Sequence, residues 1–155
     1  MRILLVCLGN ICRSPTAEAV LRARVAARGL SDTVQLDSCG TGDWHIGKSP
    51  DVRATRAAAR RGYDLSALRA RQLAEQDFSS FDLILAMDDA NLMGIRRMAG
   101  SSGAQTAKFL DYLPEHAGQD VPDPYYGGQD GFDQVLDLVE EGSDALLDHF
   151  FPGSR

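Results

Sequence analysis

The sequence predicts an α/β fold in which helices pack on a parallel β-sheet. Short apolar runs alternate along the chain with segments of helical periodicity, and this alternation is typical of repeated βαβ units. Each crossover between parallel strands is expected to be right-handed. The length of 155 residues, with 44% hydrophobic and 25% charged residues, suits a single globular domain over residues 1–155.

The predicted elements follow from the hydrophobic pattern. Four apolar runs of strand length are predicted as strands, at Ile3–Val6, Val34–Asp37, Leu83–Ala86 and around Ala107–Leu110. Helical spacing of apolar residues predicts helices at Pro15–Arg28, Asp51–Arg61, Asp88–Met98 and Phe132–Phe150. The last helix keeps its apolar residues on one face, and Gly142 within it is a candidate kink.

The junction between the first strand and the first helix carries the strongest functional signal. Cys7 ends the apolar run and Arg13 follows six residues later, with a short loop between them. Gly9 and Asn10 tolerate the unusual backbone angles of a tight concave turn. Ligands of parallel α/β sheets bind at the carboxyl ends of the strands, which is where Cys7 falls.

The start of the first helix completes an anion site. Ser14 is a good N-cap, Pro15 suits the first helical position, and Gly29 stands where a C′ residue is expected. Backbone N–H groups at a helix N-terminus attract anions. The predicted phosphate-binding residues are therefore Leu8, Gly9, Asn10, Ile11, Cys12, Arg13 and Ser14.

These residue types support attack of sulfur on phosphorus. The loop N–H groups, the helix N-terminus and Arg13 all stabilise a thiolate on Cys7. A thiolate beside a phosphate group can displace the leaving group and form a phosphocysteine. The planar fork of Arg13 can hold two phosphate oxygens at once, which a lysine cannot do. Ser14 can hydrogen-bond the sulfur and help it leave in the second step.

The candidate proton donor for the leaving group is Asp123. Pro122 and Pro124 stiffen its backbone, and Gly127-Gly128 allow the following loop to fold over a pocket. An acid that protonates the leaving oxygen can later activate water. Taken alone this segment is typical of a surface turn, and its pairing with the N-terminal loop favours the catalytic role.

These motifs resemble the low-molecular-weight protein tyrosine phosphatase family, and the similarity is spread over most of the chain. The motifs are V-C-L-G-N-I-C-R-S-P-T-A-E at 6–18, D-S-C-G-T at 37–41, R-A-R-Q at 69–72, F-D-L-I-L-A-M-D at 81–88 with Asn91, and D-P-Y-Y-G-G at 123–128. The resemblance implies a three-layer α/β fold with a central four-stranded parallel sheet flanked by helices on both faces. It implies Cys7 as nucleophile, Arg13 as phosphate clamp and Asp123 as general acid and then base, with no cofactor.

The resemblance also indicates a substrate. In similar phosphatases the residue between the loop asparagine and the second cysteine helps to set specificity, and Ile11 at this position favours aryl phosphates. Trp44, Tyr125 and Tyr126 are the expected apolar walls of a slot that holds a phenyl ring. A deep slot would exclude phosphoserine, because its phosphate could not reach Cys7.

Further expectations concern regulation and departures from the family pattern. Cys12 is expected to trap oxidised Cys7 as a disulfide before irreversible damage occurs. Leu68 stands where many relatives have a histidine that braces the phosphate loop, so the hydrogen-bond network behind the loop is in question. Asp88 and Asn91 are expected to cap the following helix and brace the site. Cys39 stands where relatives usually have alanine, and a small buried thiol explains it.

Composition limits partners and location. The formal net charge of −6 argues against binding to nucleic acid or to an anionic membrane surface. Three cysteines, an odd number, argue for a reducing compartment, and the cytoplasm is expected. The three histidines are scattered without metal-binding spacing, so no metal is expected. The expected partners are tyrosine-phosphorylated proteins and a tyrosine kinase, and the expected state is a monomer.

Two alternatives to a phosphotyrosine phosphatase stay open at this stage. The chain could act on another phosphoryl group such as phosphoarginine, although Ile11 argues against it. It could instead be a phosphopeptide-binding module that keeps the phosphate loop but has little turnover. Leu68 motivates that second alternative, and the presence of Cys7, Arg13 and Asp123 argues against it.

Overall fold

The computed structural model describes residues 1–125 and 127–155, and within them the chain forms a four-stranded parallel sheet. The strands are β1 (Arg2–Cys7), β2 (Gln35–Gly40), β3 (Leu83–Ala86) and β4 (Gln105–Lys108). Their spatial order is β2-β1-β3-β4, and each neighbouring pair is parallel. β1 is therefore central, and its carboxyl end opens onto the loop that follows Cys7. The predicted α/β fold with a parallel sheet is confirmed.

Helices cover both faces of this sheet. They are α1 (Arg13–Ala27), α2 (Val52–Arg60), α3 (Asp77–Ser80), α4 (Asp89–Ala99) and α5 (Gln129–Phe150), and short 3₁₀ turns lie at Phe109–Tyr112 and Pro114–His116. Successive side chains of β1 point to opposite faces, as a strand requires. Ile3 and Leu5 join the core formed with α1, α2 and α5, whereas Leu4 and Val6 join a smaller core with α3 and α4. The three-layer arrangement is thus confirmed.

Several boundaries differ from the sequence prediction, each for a tertiary reason. The last strand begins at Gln105, and the residues from Phe109 turn into a 3₁₀ helix because the Asp111 carboxylate accepts the N–H of Lys108 at 3.0 Å. β2 continues to Gly40 because it pairs with β1 as far as Cys7. The short helix α3 lacks enough residues for a periodic signal and was not predicted.

The N-cap prediction for α1 is also wrong. The helix begins at Arg13 with Cys12 at the N-cap, so Ser14 lies inside the first turn. Its hydroxyl is directed toward Cys7 instead of capping the helix. The other end of α1 agrees with the prediction, since Gly29 follows the C-cap with a left-handed φ of 71°.

Helix α5 runs through Gly142 without interruption. A Cβ at this position would lie 2.5 Å from Cε1 of Phe109, so the missing side chain lets the helix pack closely on that ring. Close approach to Phe109, rather than a break in the helix, accounts for this glycine. Within residues 1–125 and 127–155, no helix has the length and apolar character needed to cross a bilayer.

We expect Gly142→Ala to lower the free energy of unfolding by about 1 kcal/mol, measured by urea unfolding. Overpacking costs about 1–3 kcal/mol, which outweighs the gain of up to about 1 kcal/mol in helix propensity. Gly94→Ala in α4 is the matched control, because its Cβ would meet Thr41 Cγ2 at an ordinary 3.4 Å. The control should be stabilised by about 0.5–1 kcal/mol, and equal stabilisation of both variants would contradict the proposed packing.

Candidate active site

The loop between β1 and α1 forms the floor of a cavity of about 360 Å³ at the carboxyl edge of the sheet. Its lining residues are Cys7, Leu8, Gly9, Ile11, Cys12, Arg13, Trp44, His45, Asp123 and Tyr125. The fold therefore brings the N-terminal loop together with residues from two distant segments, one with Trp44 and His45 and one with Asp123 and Tyr125. Of the residues predicted to contact substrate, Tyr126 lies outside the described residues.

Cys7 lies at the base of this cavity. Its side chain is buried, and its Sγ accepts the N–H of Asn10 at 3.3 Å and lies 3.0 Å from Ser14 Oγ. The side-chain amide of Asn10 donates to Ser14 Oγ at 2.8 Å and takes one of the two acceptor positions of that oxygen. The hydroxyl proton of Ser14 is free to point to Cys7 at 3.0 Å or to the more distant Cys39 carbonyl at 3.4 Å. This arrangement is suited to a negatively charged sulfur.

Asn10 shapes the loop through its backbone and its side chain. It has a φ of 56°, the left-handed region that asparagine tolerates better than most residues. Its side-chain nitrogen donates to Ser14 and to Ser38, the latter at 3.0 Å, and its oxygen accepts the N–H of Arg71 at 3.0 Å. The buried amide thus has partners on both of its ends.

The network continues away from the loop to a buried carboxylate. Ser38 Oγ donates to Glu18 Oε1 at 2.7 Å, and Glu18 Oε2 accepts from Arg22 at 2.6 Å. Leu68 packs partly buried against the main core. The hydrogen bonds behind the loop are therefore complete without a histidine at position 68.

Arg13 crosses the site as a buried guanidinium. Its Nη1 donates to Asp88 at 2.6 Å and to the Val121 carbonyl at 3.1 Å, and its Nη2 lies 3.5 Å from Asp123 Oδ2. Burial disfavours the charged form, yet the negative groups of Cys7, Asp88 and Asp123 raise the pKa of Arg13 above its ordinary value. The side chain therefore carries a permanent positive charge inside the cavity.

Asp88 performs the two duties expected of it. Its Oδ1 accepts the N–H of Asn91 at 2.8 Å and caps α4, while its Oδ2 holds Arg13. Asn91 is buried, and its side-chain oxygen has no hydrogen-bond partner among the described residues. Asn91 is not one of the residues that line the cavity.

Asp123 faces the cavity from the segment between the 3₁₀ turns and α5. Its side chain is 39% exposed. Its Oδ1 accepts the N–H of Tyr125 at 3.1 Å, and its Oδ2 is the oxygen nearest Arg13. Val121, two residues before Asp123, is held next to the end of β3, because its N–H donates to the Met87 carbonyl at 2.7 Å.

The cavity has aromatic walls. The indole of Trp44 is 64% exposed, and it lies over Gly42, where a Cβ would approach Cζ3 to 2.1 Å. His45 also lines the cavity, and its ring centroid is 6.3 Å from that of Tyr125. Sequence reasoning missed His45, although its position next to Trp44 was an available signal.

The second cysteine of the loop, Cys12, is also buried. Burial, followed by the negative charge of Asp51, raises the pKa of Cys12. Cys12 is therefore a thiol at neutral pH, and Cys7, Cys12 and Cys39 are all free of disulfide bonds. The described residues contain no group of three or more histidine, cysteine or acidic side chains that could hold a metal ion.

Comparison with known proteins decides the family. The family model of the low molecular weight phosphotyrosine protein phosphatases matches residues 2–151. The chain belongs to this family, whose members are cysteine-dependent hydrolases. A low molecular weight protein-tyrosine-phosphatase of Streptomyces coelicolor is 47% identical over 150 residues, covering 94% of this chain and 91% of the relative.

Solved structures of the family agree. A protein tyrosine phosphatase from Entamoeba histolytica superposes with a TM-score of 0.92 at 35% identity, over 100% of this chain and 99% of the other. An arginine phosphatase from Drosophila superposes with a TM-score of 0.89 at 32% identity, over 97% of this chain and 98% of the other. This phosphatase fold therefore occurs in proteins named for different phosphorylated residues.

We expect Asn10→Gly and Asn10→Ala both to lower the free energy of unfolding, by about 1–3 kcal/mol, because each removes the hydrogen bonds of a buried amide. Asn10→Ala should be the less stable by a further ~1 kcal/mol, since alanine is strained in the left-handed region and glycine is not. Urea unfolding of the two variants separates the cost of the lost hydrogen bonds from the cost of the strained backbone. Equal stability would show that the left-handed backbone carries no cost here.

Proposed function

We propose that this member of the family is a protein tyrosine phosphatase that hydrolyses phosphotyrosine in proteins through a phosphocysteine on Cys7, within a single domain over residues 1–155. The observation that carries the proposal is the convergence of Cys7, Arg13 and Asp123 on one cavity with aromatic walls. The loop N–H groups at the start of α1 supply the remaining donors for phosphate oxygens. No cofactor or metal is required.

In the first step the Cys7 thiolate attacks phosphorus. The S–P bond forms as the bond from phosphorus to the tyrosine oxygen breaks, and Asp123 transfers its proton to that oxygen so that neutral tyrosine leaves. The Nη1 atom of Arg13 donates to Asp88 and to the Val121 carbonyl. The N–H of Nε and the N–H of Nη2 that does not point to Asp123 are the donors for phosphate oxygens. The charge on the transferring phosphoryl group is thus met by donors already in place.

In the second step water hydrolyses the phosphocysteine. Asp123, now a carboxylate, takes a proton from the water as its oxygen attacks phosphorus. The S–P bond breaks, inorganic phosphate leaves, and Cys7 returns to the thiolate. The Ser14 hydroxyl, 3.0 Å from the sulfur, stabilises the leaving thiolate.

The walls of the cavity support an aryl substrate. A phenyl ring entering between Trp44 and Tyr125 gains about 0.5–1.5 kcal/mol from ring contacts beyond its area burial. Tyr126 lies outside the described residues, and its contact with the ring stays a prediction from the sequence. Ile11 adds an apolar surface at the floor. A related fold belongs to a protein named an arginine phosphatase, so phosphoarginine is the alternative substrate to be tested.

The same cavity supports control by oxidation, which we include in the proposal. Peroxide would convert the Cys7 thiolate to a sulfenic acid, and Cys12, which lines the same cavity, would attack that sulfur and lose its proton. A disulfide forms, the sulfenic oxygen leaves as water, and a cellular thiol reduces the bond again. Such a cycle requires a reducing compartment, and we therefore propose that the enzyme is cytoplasmic. We also propose that it is a monomer and that a tyrosine kinase is among its partners.

A panel of phosphopeptides tests the function. We expect wild-type protein to hydrolyse phosphotyrosine peptides, with phosphoserine peptides and phosphoarginine peptides slower by about 100-fold or more, because their groups lack the aryl contacts and reach. Cys7→Ser should abolish turnover while keeping the same melting temperature within a few degrees. Residual turnover by Cys7→Ser would exclude the phosphocysteine, and faster release of phosphate from phosphoarginine would reassign the substrate.

Oxidation is tested by activity and mass after peroxide treatment. Wild-type protein should lose activity, lose the mass of two hydrogens and recover fully with a dithiol. Cys12→Ser should instead gain oxygen and stay inactive, because no second thiol captures the sulfenic acid. Cys39→Ala is the matched control and should behave as the wild type. Equal, irreversible loss in wild-type and Cys12→Ser protein would contradict the disulfide.

A further inference from the structure

Arg53 joins helix α2 to the segment that carries Asp123. Its Nη2 donates to the Tyr125 carbonyl at 2.8 Å. The guanidinium carbon also lies 5.5 Å from the centroid of the Tyr125 ring and 4.8 Å from that of Phe132, at the start of α5. These distances are within the range of cation–π contacts. One side chain therefore holds both the backbone and the ring of Tyr125.

The same guanidinium also binds the Asp51 carboxylate. The Nε and Nη2 atoms of Arg53 donate to the two carboxylate oxygens of Asp51 at 3.2 and 3.1 Å. Asp51 caps α2 through the N–H groups of Arg53 and Ala54. Its own N–H donates to the Ile11 carbonyl at 2.8 Å, within the phosphate-binding loop. Hydrogen bonds thus run from the phosphate-binding loop through Asp51 and Arg53 to Tyr125.

From Tyr125 the chain of contacts reaches the proton donor. The N–H of Tyr125 donates to Asp123 Oδ1 at 3.1 Å, while Asp123 Oδ2 faces Arg13 at 3.5 Å. Oδ1 is therefore held as an acceptor, and Oδ2 is the oxygen on the side of the buried guanidinium. A shift of the Tyr125 backbone would turn the carboxyl group away from the substrate oxygen. The side chain of Asp123 is 39% exposed, so packing alone does not fix it.

We propose that Arg53 is a positioning residue for Asp123: it sets the distance between the phosphate-binding loop and the acid, and so controls protonation of the leaving group. This inference rests on the proposed function, in which Asp123 is the general acid. Arg53 itself touches no reacting atom. Replacement of Arg53 should therefore lower the rate more for substrates whose leaving group needs a proton than for substrates whose leaving group does not.

The chemistry of arginine explains the residue type. A planar fork can bind the Asp51 carboxylate with two nitrogens while the same group contacts two rings and reaches a carbonyl. Lysine keeps the charge but has no fork, so it cannot make these contacts together. The side chain of Arg53 is 40% exposed, and ion pairs at such positions contribute little to stability. A displacement of about 1 Å in a catalytic group, in contrast, can lower a rate by up to about 100-fold.

The test compares kcat/KM on two aryl phosphates that differ in leaving group. p-Nitrophenyl phosphate releases an anion that needs little protonation, whereas phenyl phosphate depends on the acid. We expect Arg53→Ala to lower kcat/KM by about 10-fold on phenyl phosphate and by less than about 3-fold on p-nitrophenyl phosphate. Asp123→Ala should show the same preference more strongly, by about 100-fold or more on phenyl phosphate. Arg53→Lys should resemble Arg53→Ala.

Two further variants separate positioning from a general structural effect. Arg56→Ala changes an exposed arginine one turn along α2 and should leave both rates unchanged. In the double variant Arg53→Ala with Asp123→Ala, loss of Arg53 should add nothing to the leaving-group preference, because the acid it positions is gone. Melting temperatures of all variants confirm that each protein is folded.

The outcomes distinguish this inference from the proposed function. If Asp123→Ala lowers kcat/KM equally on both substrates, the acid assignment fails and the role of Arg53 fails with it. If Asp123→Ala discriminates between the substrates but Arg53→Ala does not, only the positioning role is wrong. Additive effects on the leaving-group preference in the double variant would also overturn it.

Discussion

The buried charge of Arg13 is the constraint around which the carboxyl edge of the sheet is organised. A guanidinium removed from water costs several kcal/mol unless acceptors surround it. Here the acceptors come from separate parts of the chain: Asp88 after β3, and the Val121 carbonyl and Asp123 before α5. Satisfying one charge thus brings the phosphate-binding loop, the cap of α4 and the acid-bearing segment together.

The phosphate-binding loop depends in turn on a second set of buried polar contacts. A left-handed backbone at Asn10 lets the loop curve around the cavity, and its amide group links Ser14, Ser38 and Arg71. Because these bonds are complete, no side-chain donor or acceptor of Asn10 lacks a partner although position 68 is a leucine. The hydrogen bonds of Asn10 therefore do not depend on a histidine at position 68.

The two sides of the cavity are held differently. Most residues of the floor are buried, and Cys7, Asn10 and Ser14 are joined there by hydrogen bonds, whereas the wall with Asp123 and Tyr125 is partly exposed and is held in part by Arg53. Local openings cost least where few buried contacts exist. A rigid floor and a more loosely held Asp123 suit an enzyme that must admit a phosphate group on a protein and later release inorganic phosphate. It also explains why an exposed arginine can influence chemistry without supporting the fold.

The sequence by itself determined the α/β fold and the position of the loop between β1 and α1, and it predicted that Cys7, Arg13 and Asp123 meet at one site, as they do in the cavity. The fold and the loop depend on periodicity and on chemically specific residues at short spacing, which local order preserves. Asp123 lies far along the chain, and its prediction depended on pairing its segment with the N-terminal loop. Only the tertiary structure decided that Ser14 faces Cys7 instead of capping α1, that Phe109 leaves the last strand, that His45 joins the cavity, and that Arg53 reaches Tyr125. The reason is physical: each of these depends on a partner far away in the chain, and no local pattern records which distant groups folding will bring into contact.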